Sequence, residues 1–128
     1  MKHQPPALEV LSPETRAQLE RFRVEHAGEP RGAVADRVLF EDEHLRIWEL
    51  TLLPGQATAL HHHPLDYYLV ILSGDRVAGI PPKGEGDPYV GLIPPEGNTV
   101  RVPKGSTEWA WNVGEKTYRE ILIERKRG

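Results

Sequence analysis

Short apolar runs rich in β-branched and aromatic residues follow one another along most of the chain, separated by segments that contain glycine and proline. Turn residues at intervals of roughly eight to twelve positions are typical of an all-β domain. Pro54-Gly55 and Ser73-Gly74 mark such turns, because glycine permits positive φ angles and proline removes a donor from the strand ladder. We therefore predict about nine strands. Their predicted bounds are Ala33–Phe40, Leu45–Leu53, Ala57–His63, Tyr67–Leu72, Arg76–Ile80, Tyr89–Ile93, Thr99–Val102, Glu108–Val113 and Thr117–Glu124.

One helix is predicted before the strands. Ser12-Pro13-Glu14 supplies an N-cap, a proline suited to the first helical turn and a carboxylate near the positive helix end. Leu19 and Phe22 lie three residues apart and form a narrow apolar stripe. Gly28 and Pro30 are expected to stop the helix.

The order of these elements predicts how the chain is divided. We expect residues 1–32 to form an N-terminal extension with a short helix, and residues 33–128 to form one β-barrel domain. A closed or double-sheet barrel is favoured because it leaves few exposed sheet edges. A chain of 128 residues fits one domain that can bury a core without a disulfide or metal staple.

The composition excludes several kinds of chemistry. The chain has no cysteine, which excludes zinc–thiolate and iron–sulfur clusters, thiol catalysis and disulfides. The formal net charge of −3 argues against a nucleic-acid partner, and the basic run Arg125-Lys126-Arg127 is interpreted as a solvated tail. No dinucleotide fingerprint, phosphate-binding loop or serine elbow is present in the sequence.

The distribution of apolar residues predicts a cytoplasmic protein with no membrane partner. The longest apolar run, Tyr67–Leu72, is far too short to cross a bilayer. No apolar signal segment follows residues 1–6. The absence of cysteine also fits a reducing compartment.

Three consecutive histidines, residues 61–63, carry the first chemical signal. Side chains alternate between the two faces of a strand, so His61 and His63 share one face and His62 takes the other. Two imidazoles in this arrangement can meet one metal ion. Tyr67 has the same parity, and a turn at residues 64–66 would bring it near both rings.

A third ligand has to come from a distant strand. Glu108 begins one of the late strands, and Asn112 shares its face. Two imidazoles and one carboxylate leave coordination positions open for substrate or dioxygen. Such nitrogen and oxygen ligands suit a divalent transition metal, namely Fe, Mn, Ni, Co or Zn.

Two segments resemble the conserved motifs of the cupin superfamily. Residues 55–74 are similar to the first motif, G-x5-H-x-H-x3,4-E-x6-G, and residues 97–112 to the second, G-x5-P-x-G-x2-H-x3-N. The resemblance implies a double-stranded β-helix, or jelly roll, with an internal metal site built from three histidines and one glutamate. It also implies a homodimer. The matching residues are Gly55, His61, His63 and Gly74 in the first motif, and Gly97, Pro103, Gly105 and Asn112 in the second.

Two of the four ligand positions depart from the motifs. Tyr67 stands where the glutamate is expected, and Glu108 stands where the histidine is expected. We predict that His61, His63 and Glu108 bind the metal. The alternatives are that the two histidines line a pocket that has lost its metal, and that Glu108 pairs with an arginine or lysine. Tyr67 is interpreted as a packing residue, or as a fourth ligand or general acid or base.

The tryptophans on the late strand predict a covered outer surface. Trp109 and Trp111 share the face opposite Glu108 and must be covered by the N-terminal helix, a neighbouring sheet or another subunit. Asn112 and Gly105 are interpreted as structural residues.

We therefore expect a metal-dependent enzyme that acts on a small organic substrate inside the barrel. Dioxygenation, isomerisation and lyase chemistry next to a carbonyl are the candidate reactions, with Tyr67 as the proton-handling residue. The alternative is a metal-free or metal-stabilised cupin that binds a sugar or an acid without catalysis. A third hypothesis, a ligand sensor that associates with a partner, depends on the paired tryptophans alone.

Overall fold

The computed structural model describes residues 7–126 of the chain. Ten strands form two antiparallel sheets, and one helix, α1, covers Pro13–Glu25. The strands are β1 (Ala7–Leu8), β2 (Arg37–Glu41), β3 (Leu45–Leu52), β4 (His61–His62), β5 (Tyr67–Ser73), β6 (Arg76–Ile80), β7 (Tyr89–Leu92), β8 (Asn98–Val102), β9 (Thr107–Asn112) and β10 (Tyr118–Arg125).

The helix begins and ends as its sequence predicts. The Ser12 hydroxyl accepts a hydrogen bond from the Thr15 backbone N–H at 3.1 Å, and Pro13 occupies the first helical turn. Leu19 and Phe22 are the buried residues of the helix. Helix α1 ends at Glu25, ahead of the predicted stop residues.

The two sheets pack face to face around a shared core. One has the strand order β1-β7-β6-β9-β4 and the other β2-β3-β10-β5-β8. Side chains from the second sheet dominate this core, and Val77 and Ala110 of the first sheet pack against it. Within residues 7–126 the strands pair as two separate sheets, so the all-β jelly-roll prediction is confirmed in its double-sheet form.

Helix α1 covers the outer face of the first sheet. Leu19 and Phe22 pack there with Ile80 and Trp109. The Phe22 ring stacks on Trp111 with 4.6 Å between centroids and meets Trp109 edge-on at 5.9 Å. The cover predicted for the two tryptophans therefore comes from the N-terminal helix.

The strand predicted over Ala57–His63 is much shorter in the structure. Only His61–His62 is regular strand, although Ala57 forms an isolated bridge. The Thr58 hydroxyl accepts the backbone N–H of Ala110 at 2.9 Å, which takes that donor out of the regular ladder. Strand β1, with two residues, was not predicted because so short a segment carries no periodicity.

The strand predicted to begin at Ala33 begins at Arg37. Val34 is buried in the core, and the Asp36 carboxylate accepts the backbone N–H of Thr51 at 2.9 Å. A side chain thus replaces the backbone partner that a longer strand would provide.

The interpretation of the basic C-terminal run as a solvated tail is wrong for its described part. Arg125 is the last residue of β10, and Lys126 forms an ion pair with Glu41. Arg127 lies outside the described residues.

The structural role predicted for Asn112 is confirmed. Its side-chain amide donates to the carbonyl groups of Leu52 and Lys116, each at 2.9 Å, and its oxygen accepts the backbone N–H of Gly114. These three bonds fix the end of β9.

In the described part of the chain, no helix is both long enough and apolar enough to cross a membrane.

Candidate metal centre

Backbone contacts hold the two predicted histidine ligands at the inner face of the first sheet. His61 lies opposite Glu108 in the β4–β9 pair. The His63 N–H donates to the Ser106 carbonyl at 2.9 Å, and the Gly105 N–H donates to the His63 carbonyl at 2.8 Å. Gly105 has a φ of 113°, a value that favours glycine, so its predicted structural role is confirmed. Both imidazoles are 3% exposed.

The ring of His61 is oriented by its Nδ1 atom. This nitrogen lies 2.8 Å from the Ala59 carbonyl oxygen and 3.2 Å from the Thr58 hydroxyl. Because a carbonyl oxygen only accepts, the proton of the neutral ring belongs on Nδ1, and Nε2 carries the lone pair. Histidine ligands in metal sites are held in the same way, by a hydrogen bond from the nitrogen that does not bind the metal.

Glu108 converges with both histidines. One ligand atom from each of His61, His63 and Glu108 can be chosen so that all three lie within 4.8 Å of one another. His63 Nε2 is 4.0 Å from Glu108 Oε1, which is too long for a hydrogen bond. Two atoms that bind one ion at about 2.0–2.2 Å can be separated by up to about 4.4 Å. The spacing of this pair therefore fits two ligands of a shared ion.

Burial keeps the two imidazoles neutral. Desolvation lowers the pKa of His63 to about 3, with further contributions from the neighbouring His61 and His62. Desolvation also lowers the pKa of His61. Both rings therefore offer an unprotonated nitrogen near pH 7, which metal binding requires.

Glu108 has no lysine or arginine partner in the part of the chain that the structure describes. His63 Nδ1 is buried without a hydrogen-bond partner there, and because Nε2 is the atom that approaches Glu108, an ion bound by Nε2 would leave Nδ1 unpaired. Burial raises the pKa of Glu108, and the basic side chain within 4.0 Å of its carboxylate is that of His63, whose ring is neutral. The predicted alternative of an ion pair with arginine or lysine is therefore not found there. Two neutral imidazoles and a partly buried carboxylate fit a divalent cation.

Tyr67 packs directly against the candidate ligands. It is 2% exposed, and its ring stacks on His63 with 4.1 Å between centroids and an interplanar angle of 17°. Burial, followed by the nearby Glu108 carboxylate, raises the pKa of Tyr67 above its ordinary value. The phenol is therefore protonated at neutral pH, and its predicted role in proton handling stays a prediction.

Tyr89 contacts the site, although no sequence motif singled it out. Its hydroxyl donates to Glu108 Oε2 at 3.1 Å. The ring lies over Gly79, where an added Cβ atom would stand 2.2 Å from Tyr89 Cζ. A side chain at residue 79 would therefore displace the ring. The parity of β7 places Tyr89 on the inner face, but its proximity to Glu108 depends on the packing of β6, β7 and β9.

A second buried carboxylate, Glu120, also faces the interior. It accepts a hydrogen bond from the Tyr118 hydroxyl at 2.6 Å. Burial raises the pKa of Glu120 to about 7; the bond from Tyr118 opposes this rise and the nearby Glu108 adds to it. The sequence signal for this residue was a glutamate at an inward position of the alternating pattern of β10.

Two adjoining cavities lie beside these residues. A small one of about 70 Å³ is lined by the two histidines, Glu108 and Glu120. A larger one of about 320 Å³ is lined mainly by apolar side chains. Tyr67, Tyr89 and Glu108 line both cavities, so the candidate ligands lie at their junction.

The sequence comparisons find distant relatives. No protein-family model matches the chain. It is 25% identical over 111 residues to auxin-binding protein T85 of Nicotiana tabacum, which covers 84% of this chain and 59% of that protein. The chain therefore spans about three fifths of the length of the curated relatives it matches.

Solved structures share the fold. A cupin domain from Bordetella pertussis aligns with a TM-score of 0.64 at 21% identity, covering 78% of this chain and all of that domain. A single-residue variant of oxalate decarboxylase from Bacillus subtilis aligns with a TM-score of 0.51 at 18% identity, covering 65% of this chain and 22% of the enzyme. At these identities the likeness shows the fold alone.

Proposed function

We propose that this chain, which belongs to the cupin superfamily, binds one divalent transition-metal ion through His61, His63 and Glu108 and acts on a small organic substrate. The observation that carries the proposal is the convergence of three ligand atoms within 4.8 Å, two from buried histidines and one from the partly buried Glu108. The neutral state of both imidazoles and the orientation of His61 by Ala59 support it.

The ligand set defines the chemistry that the site can support. Two imidazoles and a carboxylate suit Fe, Mn, Ni, Co or Zn and leave positions open for other ligands. A bound ion would polarise a substrate oxygen as a Lewis acid. Dioxygenation, isomerisation and proton removal next to a carbonyl are the reactions proposed.

The residues of the chain supply the remaining functions. The apolar walls of the larger cavity would hold the substrate and exclude water. Tyr67 stacks on His63 at the junction of the two cavities, and in this proposal its phenol would donate a proton to the substrate. Neither cavity is lined by a lysine or arginine among the described residues, so an acidic substrate would need the metal as its positive partner.

Metal analysis tests this proposal. Purified protein reconstituted separately with Fe, Mn, Ni or Zn is expected to retain close to one ion per chain with at least one of them. His61→Ala is expected to lose the metal and keep the fold. His62→Ala is the matched control, because the His62 ring contacts Thr107 instead of the candidate ligands. Less than about a tenth of an ion per wild-type chain would contradict the proposal.

A metal-free ligand-binding protein is the second candidate. The changed residues at two motif positions, Tyr67 and Glu108, favour it. That alternative predicts a hydrogen bond between these two side chains, whereas Glu108 accepts its bond from Tyr89. His61→Ala separates the candidates, because a metal-free protein would show only altered ligand affinity. The sensor hypothesis has lost support, since α1 packs on both tryptophans.

A further inference from the structure

The outer face of the second sheet is apolar at its centre. This sheet has the strand order β2-β3-β10-β5-β8, and its register aligns the outward side chains in rows that run across the strands. The residues between them along the strands, Trp48, Leu69 and Leu122, pack into the core, so the aligned side chains point away from it. Six apolar residues form the centre of these rows: Phe40, Ile47, Tyr68, Val70, Ile121 and Ile123.

Helix α1 leaves this face open, although it covers the outer face of the first sheet. Among residues 7–126, none of the six apolar side chains belongs to either hydrophobic core. Phe40 is 51% exposed, and the other five are half-buried. A contiguous apolar surface of this kind on a folded domain marks an interaction site.

The size of the face suits a stable protein interface. Its five strands, spaced about 4.8 Å apart and up to eight residues long, give a footprint of roughly 20 by 26 Å. A dimer of standard size uses about 800 Å² of accessible surface from each partner. A footprint of this size, enlarged by the relief of its side chains, is of the order that such a dimer needs.

The charges around the apolar centre are complementary under a two-fold rotation. Glu49 on β3 and Arg101 on β8 flank the centre on opposite sides of β10. A two-fold axis parallel to the strands near β10 exchanges these two sides, so Glu49 of one copy would lie toward Arg101 of the other. An uncharged centre that contains aromatic residues, with charges at the rim, is the composition of a protein–protein interface.

We propose that the outer face of the second sheet joins two copies of this chain in a two-fold dimer, with the six apolar residues at its centre. The resemblance to cupins implies a dimer but no surface for it, and the register and burial of these residues supply that surface. The candidate metal ligands lie at the inner face of the first sheet, so each copy keeps its own site. The inference does not depend on a bound metal.

A charge at the centre of the face tests the proposal on metal-free protein. The wild type is expected to sediment as a dimer at micromolar concentrations. Ile123→Arg is expected to raise the dissociation constant of the dimer on the order of 100-fold, because a two-fold interface contains the buried charge twice. Val24→Arg is the matched control, since Val24 is an apolar residue on α1 that is 73% exposed. Sedimentation equilibrium measures the association, and far-UV circular dichroism checks that each variant is folded.

Each outcome supports or contradicts the proposed interface. A monomeric wild type would overturn the inference and assign the face to a different partner. A dimer that Ile123→Arg leaves intact would overturn it as well, because the copies would then meet elsewhere.

Cross-linking replaces the charge test if Ile123→Arg fails to fold. The chain has no cysteine, so a single introduced thiol reacts alone. A short bismaleimide should join two copies of Ile121→Cys, which lie close to the two-fold axis, and should not join two copies of Val24→Cys. Absence of the cross-linked dimer in Ile121→Cys would overturn the inference. Failure here leaves the metal analysis unaffected.

Discussion

At the level of single residues, the Tyr89 hydroxyl holds the candidate ligand Glu108 from outside the predicted ligand set. Its hydrogen bond to Glu108 Oε2 opposes the effect of burial, which raises the pKa of that carboxyl. The bond therefore favours the ionised form that a metal ion requires.

Tyr89→Phe removes this donor and keeps the ring. We expect metal affinity to fall by about 10- to 100-fold, in the range found when a partner of a metal ligand is lost. Competition with a chelator of known affinity measures the change. Tyr68→Phe is the control, because Tyr68 follows Tyr67 in β5 and its side chain therefore takes the opposite face of the strand. Its metal affinity should match that of the wild type. Unchanged affinity in Tyr89→Phe would show that Glu108 is oriented without this bond.

The buried Glu120 predicts a dependence of stability on pH. Burial raises its pKa from 4.5 to about 7. Below pH 4.5 the carboxyl is protonated in both the folded and unfolded states and contributes nothing. As the pH rises from there to about 7, the unfolded state ionises first, so the free energy of unfolding falls.

Glu120→Gln removes this penalty. The metal-free variant is expected to exceed the wild type in free energy of unfolding by roughly 3 kcal/mol above pH 7, and to equal it at the acid end. Denaturant titrations at several pH values measure the difference. A difference that does not change with pH would refute the raised pKa.

Some of the site residues could be predicted from sequence patterns, whereas others became evident only from the tertiary packing. The two-residue period of a strand places His61 and His63 on one face, and the second motif marks position 108 as a ligand position, because each of these patterns lies within one segment. Tyr89 and Glu120 carry the same local pattern as any inward residue. Their importance arises from the way separate strands pack, which no periodicity encodes.

At the level of elements, the contact between β6 and β7 depends on the absence of a side chain at Gly79. The Tyr89 ring occupies the space over Gly79, and a Cβ atom there would meet Tyr89 Cζ at 2.2 Å. This close approach aligns the Tyr89 hydroxyl with Glu108 on β9.

Gly79→Ala should therefore disturb both stability and metal binding. We expect a loss of about 1–3 kcal/mol, typical of overpacking, together with weaker metal affinity. Gly91→Ala is the matched control on β7, because its added Cβ would meet nothing closer than 3.7 Å. Denaturant unfolding and metal titration of both variants provide the measurements. Equal behaviour of the two variants would contradict the proposed role of Gly79.

Secondary-structure elements could be predicted from the sequence where all the signals of an element lie within one segment. Helix α1 has a cap, a first-turn proline and an apolar stripe within one segment. The segment before His61 was predicted as continuous strand, but Thr58 uses its side chain to accept the Ala110 N–H. Such a bond between a side chain and a distant backbone depends on the tertiary fold, so the sequence could not reveal it.

For the whole molecule, metal binding and folding are linked. An ion that binds only the folded state stabilises it by about 2.7 kcal/mol when its free concentration is one hundred times the dissociation constant. We expect this gain for the wild type and for His62→Ala, and no gain for His61→Ala. Denaturant unfolding with and without the ion measures it. A homodimer, implied by the resemblance, stays a prediction that sedimentation equilibrium can check.

The alternation along β9 has an optical consequence. Trp109 and Trp111 follow Glu108 in sequence but face α1, so the thickness of a single sheet separates their indoles from the candidate ligand. Across a single sheet, a Co or Ni ion with a partly filled d shell should quench tryptophan emission, whereas the closed-shell Zn ion should not. Fluorescence quenched by Co, and restored when Zn displaces it, would report site occupancy without an added dye.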